Sequence, residues 1–397
     1  MRFLITLLLC AVAPFVAYGA KNTSNAKEMV CSLLAEADIQ VNGTRPWDIA
    51  VHNENFYSRV LTSGSLGLGE SYMDGWWDCP ELDVCMAKIM EACLDEKVRL
   101  GWKTACTMAW EHTKAYVFNL QDKEGAKKVI ERHYQLGNDL YQAMLGTTLA
   151  YSCGYWKTAE NLDQAQDAKF DILCRKAQLK PGMTLLDIGC GWGGFAKYAA
   201  QHYGVKVVGV TLSANQAALA QKLCAGLDVE IRVQDYRDVP ESFDAVISIG
   251  MFEHVGHKNY RTFMEIVHGM LKPQGIFVLH TIGSNKTTSV TDPWINKYIF
   301  PNSHLPSISQ IGKSIEKLFV MEDWHNFGAY YDKTLMSWYA NFQKSWTQLQ
   351  AHYDERFYRM WKYYLLSCAG AFRARQIQLW QIVLSKNGVP GVYQSVR

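Results

Sequence analysis

The chain has 397 residues, and 40 Lys and Arg stand against 38 Asp and Glu for a formal charge of +2. Apolar residues make up 49% and charged ones 20%, which excludes wholesale disorder and gives no support to a broad nucleic-acid footprint. The length exceeds one typical domain, so one large or two unequal units are expected. Eleven cysteines are scattered from Cys10 to Cys368 without a CxxC pair. They make neither a metal pattern nor a disulfide framework, and read as reduced, buried thiols of an intracellular protein.

In chain order, residues 3–20 carry no charge, and Ala17-Tyr18-Gly19 looks like a cleavage site. This stretch reads as a signal peptide or as a short anchor broken by Pro14. Residues 25–122 are mixed and mostly helical in character, with a Gly- and aromatic-rich insert at 64–77. The polar run at 121–128 reads as a linker. After about residue 180 the texture changes. Apolar strands are expected at 185–189, 205–212, 229–233, 243–249 and 276–281, separated by helices at 194–202, 214–225 and 260–271. Short apolar strands spaced by helices predict a parallel sheet with right-handed crossovers. The tail, 332–384, is again largely helical and ends in an apolar strand at 380–384. The fold class is α/β.

The decisive motif is Leu186-Asp187-Ile188-Gly189-Cys190-Gly191-Trp192-Gly193-Gly194, where the first strand passes into a helix. Glycines let the backbone approach a ligand closely, and free N–H groups at the helix start attract an anion. The motif fits GxGxxG, but a dinucleotide site would also want an acid at the tip of the second strand. Thr211-Leu212-Ser213 stands there instead. Asp187, two residues before the first glycine, suits the ammonium of S-adenosylmethionine, whose carboxylate would lie at the helix start. Gln216 is the best substitute for the missing ribose-binding acid. Gln234 and Asp235 close the third strand, where an acid commonly meets the adenine amino group. Cys190 is expected to pack within the loop.

After the fourth strand come Gly250-Met251-Phe252-Glu253-His254-Val255-Gly256. This is neither the Asn/Asp-Pro-Pro-aromatic segment of a nucleic-acid amino methyltransferase nor the Pro-Cys of a cytosine-carbon enzyme. Met251-Phe252-Glu253-His254, Tyr151-Ser152-Cys153-Gly154 and His280-Thr281-Ile282-Gly283, together with the segments at 66–77, 133–140, 292–301, 322–328 and 368–373, resemble the cyclopropane-fatty-acyl-phospholipid synthases. The mycolic-acid cyclopropane synthases share the first two segments. The resemblance runs from about residue 27 to residue 397. It implies a class I S-adenosylmethionine-dependent methyltransferase domain, Rossmann-like, at 123–397. A smaller, mostly helical domain for lipid interaction and dimerisation would occupy 21–122, behind the leader at 1–20.

The activity implied is methylene transfer from S-adenosylmethionine across a cis double bond of an unsaturated phospholipid, with bound bicarbonate as the base. Bicarbonate would be held by Cys153, Glu253, His280, the backbone of Ile282 and Tyr331. Tyr330, beside the last of these, replaces the acid of the family's Gly-Ala-Asp-Tyr spelling. Cys368, beside Ala369-Gly370-Ala371, joins these catalytic candidates, though no role follows from its position. Tyr151, Ser152, Asp187, Gly189, Cys190, Gly191, Trp192, Gly193, Thr211, Gln216, Gln234 and Asp235 form the cofactor set. Phe252 and Trp192 are candidates to face a carbocation, an interaction worth roughly 0.5–2 kcal/mol per ring. Alternatives left open are a methyl-branched or hydroxylated lipid product, or a lipid- or cofactor-binding protein without turnover.

Withdrawing a whole acyl chain from lipid, at ~0.8 kcal/mol per methylene, would cost on the order of 10 kcal/mol. Peripheral contact with the bilayer is therefore expected, through Leu66, Leu68, Tyr72, Trp76 and Trp77. A homodimer, located in the cytoplasm at the membrane's inner face, completes the expectation.

Overall fold

The computed structural model describes residues 23–94, 121, 137–288 and 291–397. The leader at 1–20, most of the linker at 121–128 and His133 to Leu136 lie outside the described residues. Within them no helix is long and apolar enough to cross a membrane.

The described chain begins with helix α1 (Thr23–Glu36), the short strand β1 (Ala50–Val51), helix α2 (Asn55–Met73), strand β2 (Trp77–Asp78) and helix α3 (Leu82–Glu91). β1 and β2 pair antiparallel. The Gly-rich insert forms the second half of α2, which kinks at Gly64, where φ is 55°. After α4 (Asn138–Leu145) comes α5 (Leu162–Lys176). The Asn161 side chain caps α5 by accepting from the Gln164 N–H, and Arg175 and Lys176 complement its C-terminal dipole.

The sheet then builds as β3 (Thr184–Ile188), α6 (Gly194–Tyr203), β4 (Lys206–Thr211), α7 (Ala214–Leu223), β5 (Val229–Val233), β6 (Phe243–Ile249), α8 (Tyr260–Met270) and β7 (Leu271–Ser284). These five strands run parallel, as the apolar spacing predicts. Helices α9 (Pro293–Tyr298) and α10 (Ile308–Ile315) lead to β8 (Val320–Asn326), followed by α11 (Tyr330–Leu349), α12 (Glu355–Arg373) and β9 (Ile377–Ser385). The sheet order is β5-β4-β3-β6-β7-β9-β8.

The far side of the sheet adds two strands that break this parallel order. β9 runs antiparallel between β7 and β8, and β8 is a strand that the apolar pattern did not announce. Its sequence, Val-Met-Glu-Asp-Trp-His-Asn, is polar because it forms an edge, with Val320 and Met321 exposed.

The helices at the two ends of the chain share one hydrophobic cluster. It joins Phe56, Tyr72 and Trp77 to Trp338, Trp361 and Tyr363. Gly69 of α2 lies so close to Trp294 of α9 that a Cβ there would run into the indole. Glu70 adds ionic contacts, accepting from Arg59 at 2.8 Å, Lys297 at 2.6 Å and the Tyr298 hydroxyl at 2.9 Å. Tyr72 and Trp77 are therefore interior side chains and cannot face lipid; Leu66, Leu68 and Trp76 are half-buried against the same core.

Candidate active site

An open cleft lies at the C-terminal ends of the parallel strands, where ligands meet sheets of this kind. The β3–α6 turn forms its floor. Gly189, Gly191 and Gly193 have φ of 82°, 54° and 82°, values that L side chains avoid, so glycine is needed at each. Gly189, Cys190, Gly191 and Trp192 all line the cleft. Gly193 stands immediately behind them as the N-cap of α6. A Cβ there would press on Ala220 and the Cys224 sulfur of α7, so Gly193 serves helix packing behind the turn.

The rest of the expected cofactor set lines the cleft as well: Tyr151, Ser152, Asp187, Thr211, Gln216, Gln234 and Asp235. Thr211 Oγ1 donates to Gln216 Oε1 at 2.9 Å, which fixes the glutamine at the tip of β4 where an acid was missing. Asp235 is already engaged by Arg237, at 2.8 and 2.7 Å. Asp187 pairs in register with Gly209 and Ile247 at the centre of the sheet. It is only 1% exposed, and neither carboxylate oxygen has a hydrogen-bond partner among the described residues. Burial pushes its carboxyl up to about 7, against a nearby lysine, Lys169, that pulls it down.

The six catalytic candidates are not among the residues that line this cleft. Glu253 accepts from the Ile282 N–H at 2.7 Å through Oε1, while Oε2 is buried with no close hydrogen bond among the described residues, though the Thr281 side chain also acts on this carboxyl. Burial raises this carboxyl to about 7. The Ile282 amide, expected to hold an anion, is thus already given to Glu253, because a buried carboxylate needs a donor and this one is nearest. His280 lies two residues earlier, on the same face of β7. Its Nδ1 faces the Gln381 amide nitrogen at 3.2 Å, in register across β7 and β9, and its buried Nε2 has no partner. Burial, with Lys169 and Lys176 nearby, holds its pKa well below the ordinary value, so the ring is neutral. With the Gln381 amide donating to Nδ1, the ring proton belongs on Nε2.

Cys153 is fully buried, its sulfur 3.9 Å from the Thr334 hydroxyl. Burial pushes this thiol up and keeps it protonated. Thr334 stands one turn beyond Tyr331 on α11 and also accepts from the Gly154 N–H and the Trp156 indole. Tyr331 is buried, stacked on Phe372 with ring centres 4.3 Å apart, whereas Tyr330 packs half-buried against Tyr155. The geometry therefore favours Tyr331 as the inward phenol. Cys368 neighbours Asp292, and burial together with that carboxylate pushes its thiol up to about 12. At neutral pH it is a thiol, not a nucleophile. Phe252 also departs from expectation: it stacks on Tyr260 at 4.3 Å inside the core, away from the cleft, whereas Trp192 lines the cleft and packs on Tyr141.

With this geometry in hand, the comparisons decide the family. Residues 121–382 match the family model described as mycolic acid cyclopropane synthetase. The chain belongs to that family. The cyclopropane-fatty-acyl-phospholipid synthase of Escherichia coli (strain K12) is 57% identical over 354 residues, which cover 89% of this chain and 92% of that one. Among solved structures, the cyclopropane synthase MmaA2 from Mycobacterium tuberculosis is 33% identical with a TM-score of 0.62, covering 66% of this chain and 98% of its own. The mycolic acid cyclopropane synthase CmaA1, solved with SAH and CTAB, is 34% identical with a TM-score of 0.61, at the same coverage of 66% and 98%. The fold is that of the class I S-adenosylmethionine-dependent methyltransferases, and the chain is an enzyme of that class.

Three residues of this cyclopropane synthetase family member escape a reading of its sequence. Tyr364 of α12 lies 2.8 Å, hydroxyl to hydroxyl, from Tyr151. Thr334 ties Cys153 to α11 as described. Lys169 of α5 lines the cleft although it is charged. A signal for it existed: Ala165, Gln166, Lys169, Ile172 and Lys176 fall on one helical stripe with Leu162 and Leu173, and that stripe is the buried one.

Proposed function

We propose that this enzyme transfers a methylene from S-adenosylmethionine across a cis double bond of an unsaturated phospholipid acyl chain, making a cyclopropane, with bicarbonate as the captured base. The observation that carries this reading is a pair of buried polar atoms, Glu253 Oε2 and His280 Nε2, both short of hydrogen-bond partners among the described residues. Buried polar atoms without partners are rare and call for a ligand. One donor and one acceptor suit bicarbonate, which both accepts and donates hydrogen bonds.

S-adenosylmethionine supplies the methyl group as an electrophile, and bicarbonate would supply a base that a carbocation does not consume as readily as a protein carboxylate. The remaining tasks fall to the chain itself. In this reading His280 Nε2–H and the Tyr331 hydroxyl would donate to the anion. Glu253, with its carboxyl near neutrality, can accept that anion's O–H and pass the proton onward. Cys153 and Thr334 close one side with groups that stay uncharged. Tyr151 and Trp192 bring aromatic rings to the cleft, and Tyr151 packs 5.3 Å from Trp338 and 6.2 Å from Phe300. These rings exclude the water that would turn a cation into an alcohol, and their faces stabilise positive charge by roughly 0.5–2 kcal/mol each.

The same reading has the enzyme work at the inner face of a membrane as a homodimer, drawing part of an acyl chain out of the bilayer. The test is mass spectrometry of lipids after incubation with unsaturated phospholipid vesicles and S-adenosylmethionine, with and without dissolved carbonate. A gain of one CH2 with loss of the olefin signal, weakened when carbonate is stripped, is expected. A CH2 gain that keeps the olefin would overturn cyclopropanation, and indifference to carbonate would overturn the base.

A further inference from the structure

Lys169 enters the cleft from α5, the helix that leads into the first strand of the sheet. Its side chain is 0% exposed. The ammonium donates to the Ser152 hydroxyl at 2.8 Å and sits 4.2 Å from the centre of the Phe170 ring. An ammonium has three N–H donors, so this arrangement leaves donors over. Asp187 lines the same cleft with both oxygens buried and unpartnered. The two groups influence each other electrostatically, yet no hydrogen bond joins them. A buried cation and a buried carboxylate, each short of partners, are costly to hold apart unless a ligand completes both.

The amino-acid end of S-adenosylmethionine carries one carboxylate and one ammonium on a single carbon. Resting on that cofactor assignment, we propose that Lys169 binds the cofactor's carboxylate while Asp187 faces its ammonium, so that the pair recognises the zwitterion as a unit. The carboxylate then lies between the Lys169 ammonium and the positive end of α6, which starts at Gly194 on the same wall. Burial draws Lys169 down to about 7, with Cys153 and Asp187 opposing the shift, and a bound carboxylate would restore its full charge.

A purely structural role is the rival explanation. Gln166, one turn earlier, already clamps the same segment by donating to the Ser152 carbonyl at 2.8 Å. A second clamp would not need a charge, whereas a carboxylate receptor does.

The experiment is isothermal titration calorimetry of the full chain with S-adenosylmethionine and with decarboxylated S-adenosylmethionine, for the wild type, Lys169→Met and Lys169→Gln. The glutamine variant keeps a donor for Ser152 and guards against a folding defect in the methionine variant. The wild type is expected to prefer the carboxylated ligand by roughly 10- to 100-fold. Both variants are expected to lose that preference while still binding the decarboxylated ligand. Equal weakening of both ligands assigns Lys169 to clamping and overturns the proposal, as does a preference that survives in the variants. A wild type that binds S-adenosylmethionine without preferring it over the decarboxylated form also overturns it, leaving the cofactor assignment standing. Failure of the wild type to bind either one defeats the cofactor assignment itself.

Discussion

Glu253 accepts the Ile282 N–H on one carboxylate oxygen at 2.7 Å and keeps the other buried with no close hydrogen bond among the described residues. In Glu253→Gln the side-chain oxygen can still accept from Ile282, so the fold is expected to survive. Turnover, read as S-adenosylhomocysteine released from unsaturated vesicles, should fall by about 10²–10⁴-fold. Affinity for S-adenosylmethionine, measured by calorimetry, should change little. A parallel loss of both would remove Glu253 from the base site.

The same carboxyl has a signature in stability. Its folded pKa is raised by burial from 4.5 to about 7, so the folded chain keeps a proton that the unfolded chain releases. The stability this contributes is complete below the unfolded value and is lost as pH rises to about 7. Glu253→Gln stays neutral throughout. Thermal unfolding without cofactor or carbonate should therefore show the variant gaining on the wild type as pH rises from about 4 to about 8, on the order of 3 kcal/mol. A difference that does not vary with pH would contradict the burial argument.

Tyr331→Phe separates the phenol's chemistry from its packing. The stack on Phe372 at 4.3 Å needs only the ring. The melting temperature should hold while turnover falls by roughly 10- to 100-fold and the carbonate concentration for half-maximal rate rises. Unchanged carbonate dependence would argue that the hydroxyl never meets the anion.

Glu70→Gln probes the joint between α2 and α9. Burial pushes this carboxyl up, but hydrogen bonds from Lys297, Arg59 and Tyr298 outweigh it and bring it down to about 2. Its stabilisation is therefore present above about pH 4.5 and is lost as pH falls towards 2. The variant should be less stable than the wild type by about 1 kcal/mol at neutral pH, after allowance for solvent screening, and equal to it in strong acid. Chemical denaturation at several pH values measures this; a gap that widens in acid would refute it.

The parallel half of the sheet was legible because its strands are short apolar runs fully enclosed by helices, as Leu185 to Ile188 are. The edge strand β8 was not, since a strand with one exposed side and a register shift between Met321 and Asp323 loses its alternation. The glycine turn announced the cofactor cleft, but sequence could not tell that Gly193 faces α7. Phe252 shows the matching limit for aromatics: adjacency to Glu253 in a motif does not fix the direction of the ring. Lys169 was overlooked because lysine on an amphipathic helix ordinarily marks its wet face.

Strand β9, made after nearly everything else, slots between two strands already synthesised and bonds to both, meeting His280 on one side and His325 on the other through Gln381. Until residue 385 has emerged from the ribosome, β7 and β8 are two open ladders with a gap between them. A chain cut short before this insertion should be found in aggregates, not as a weakly active fragment.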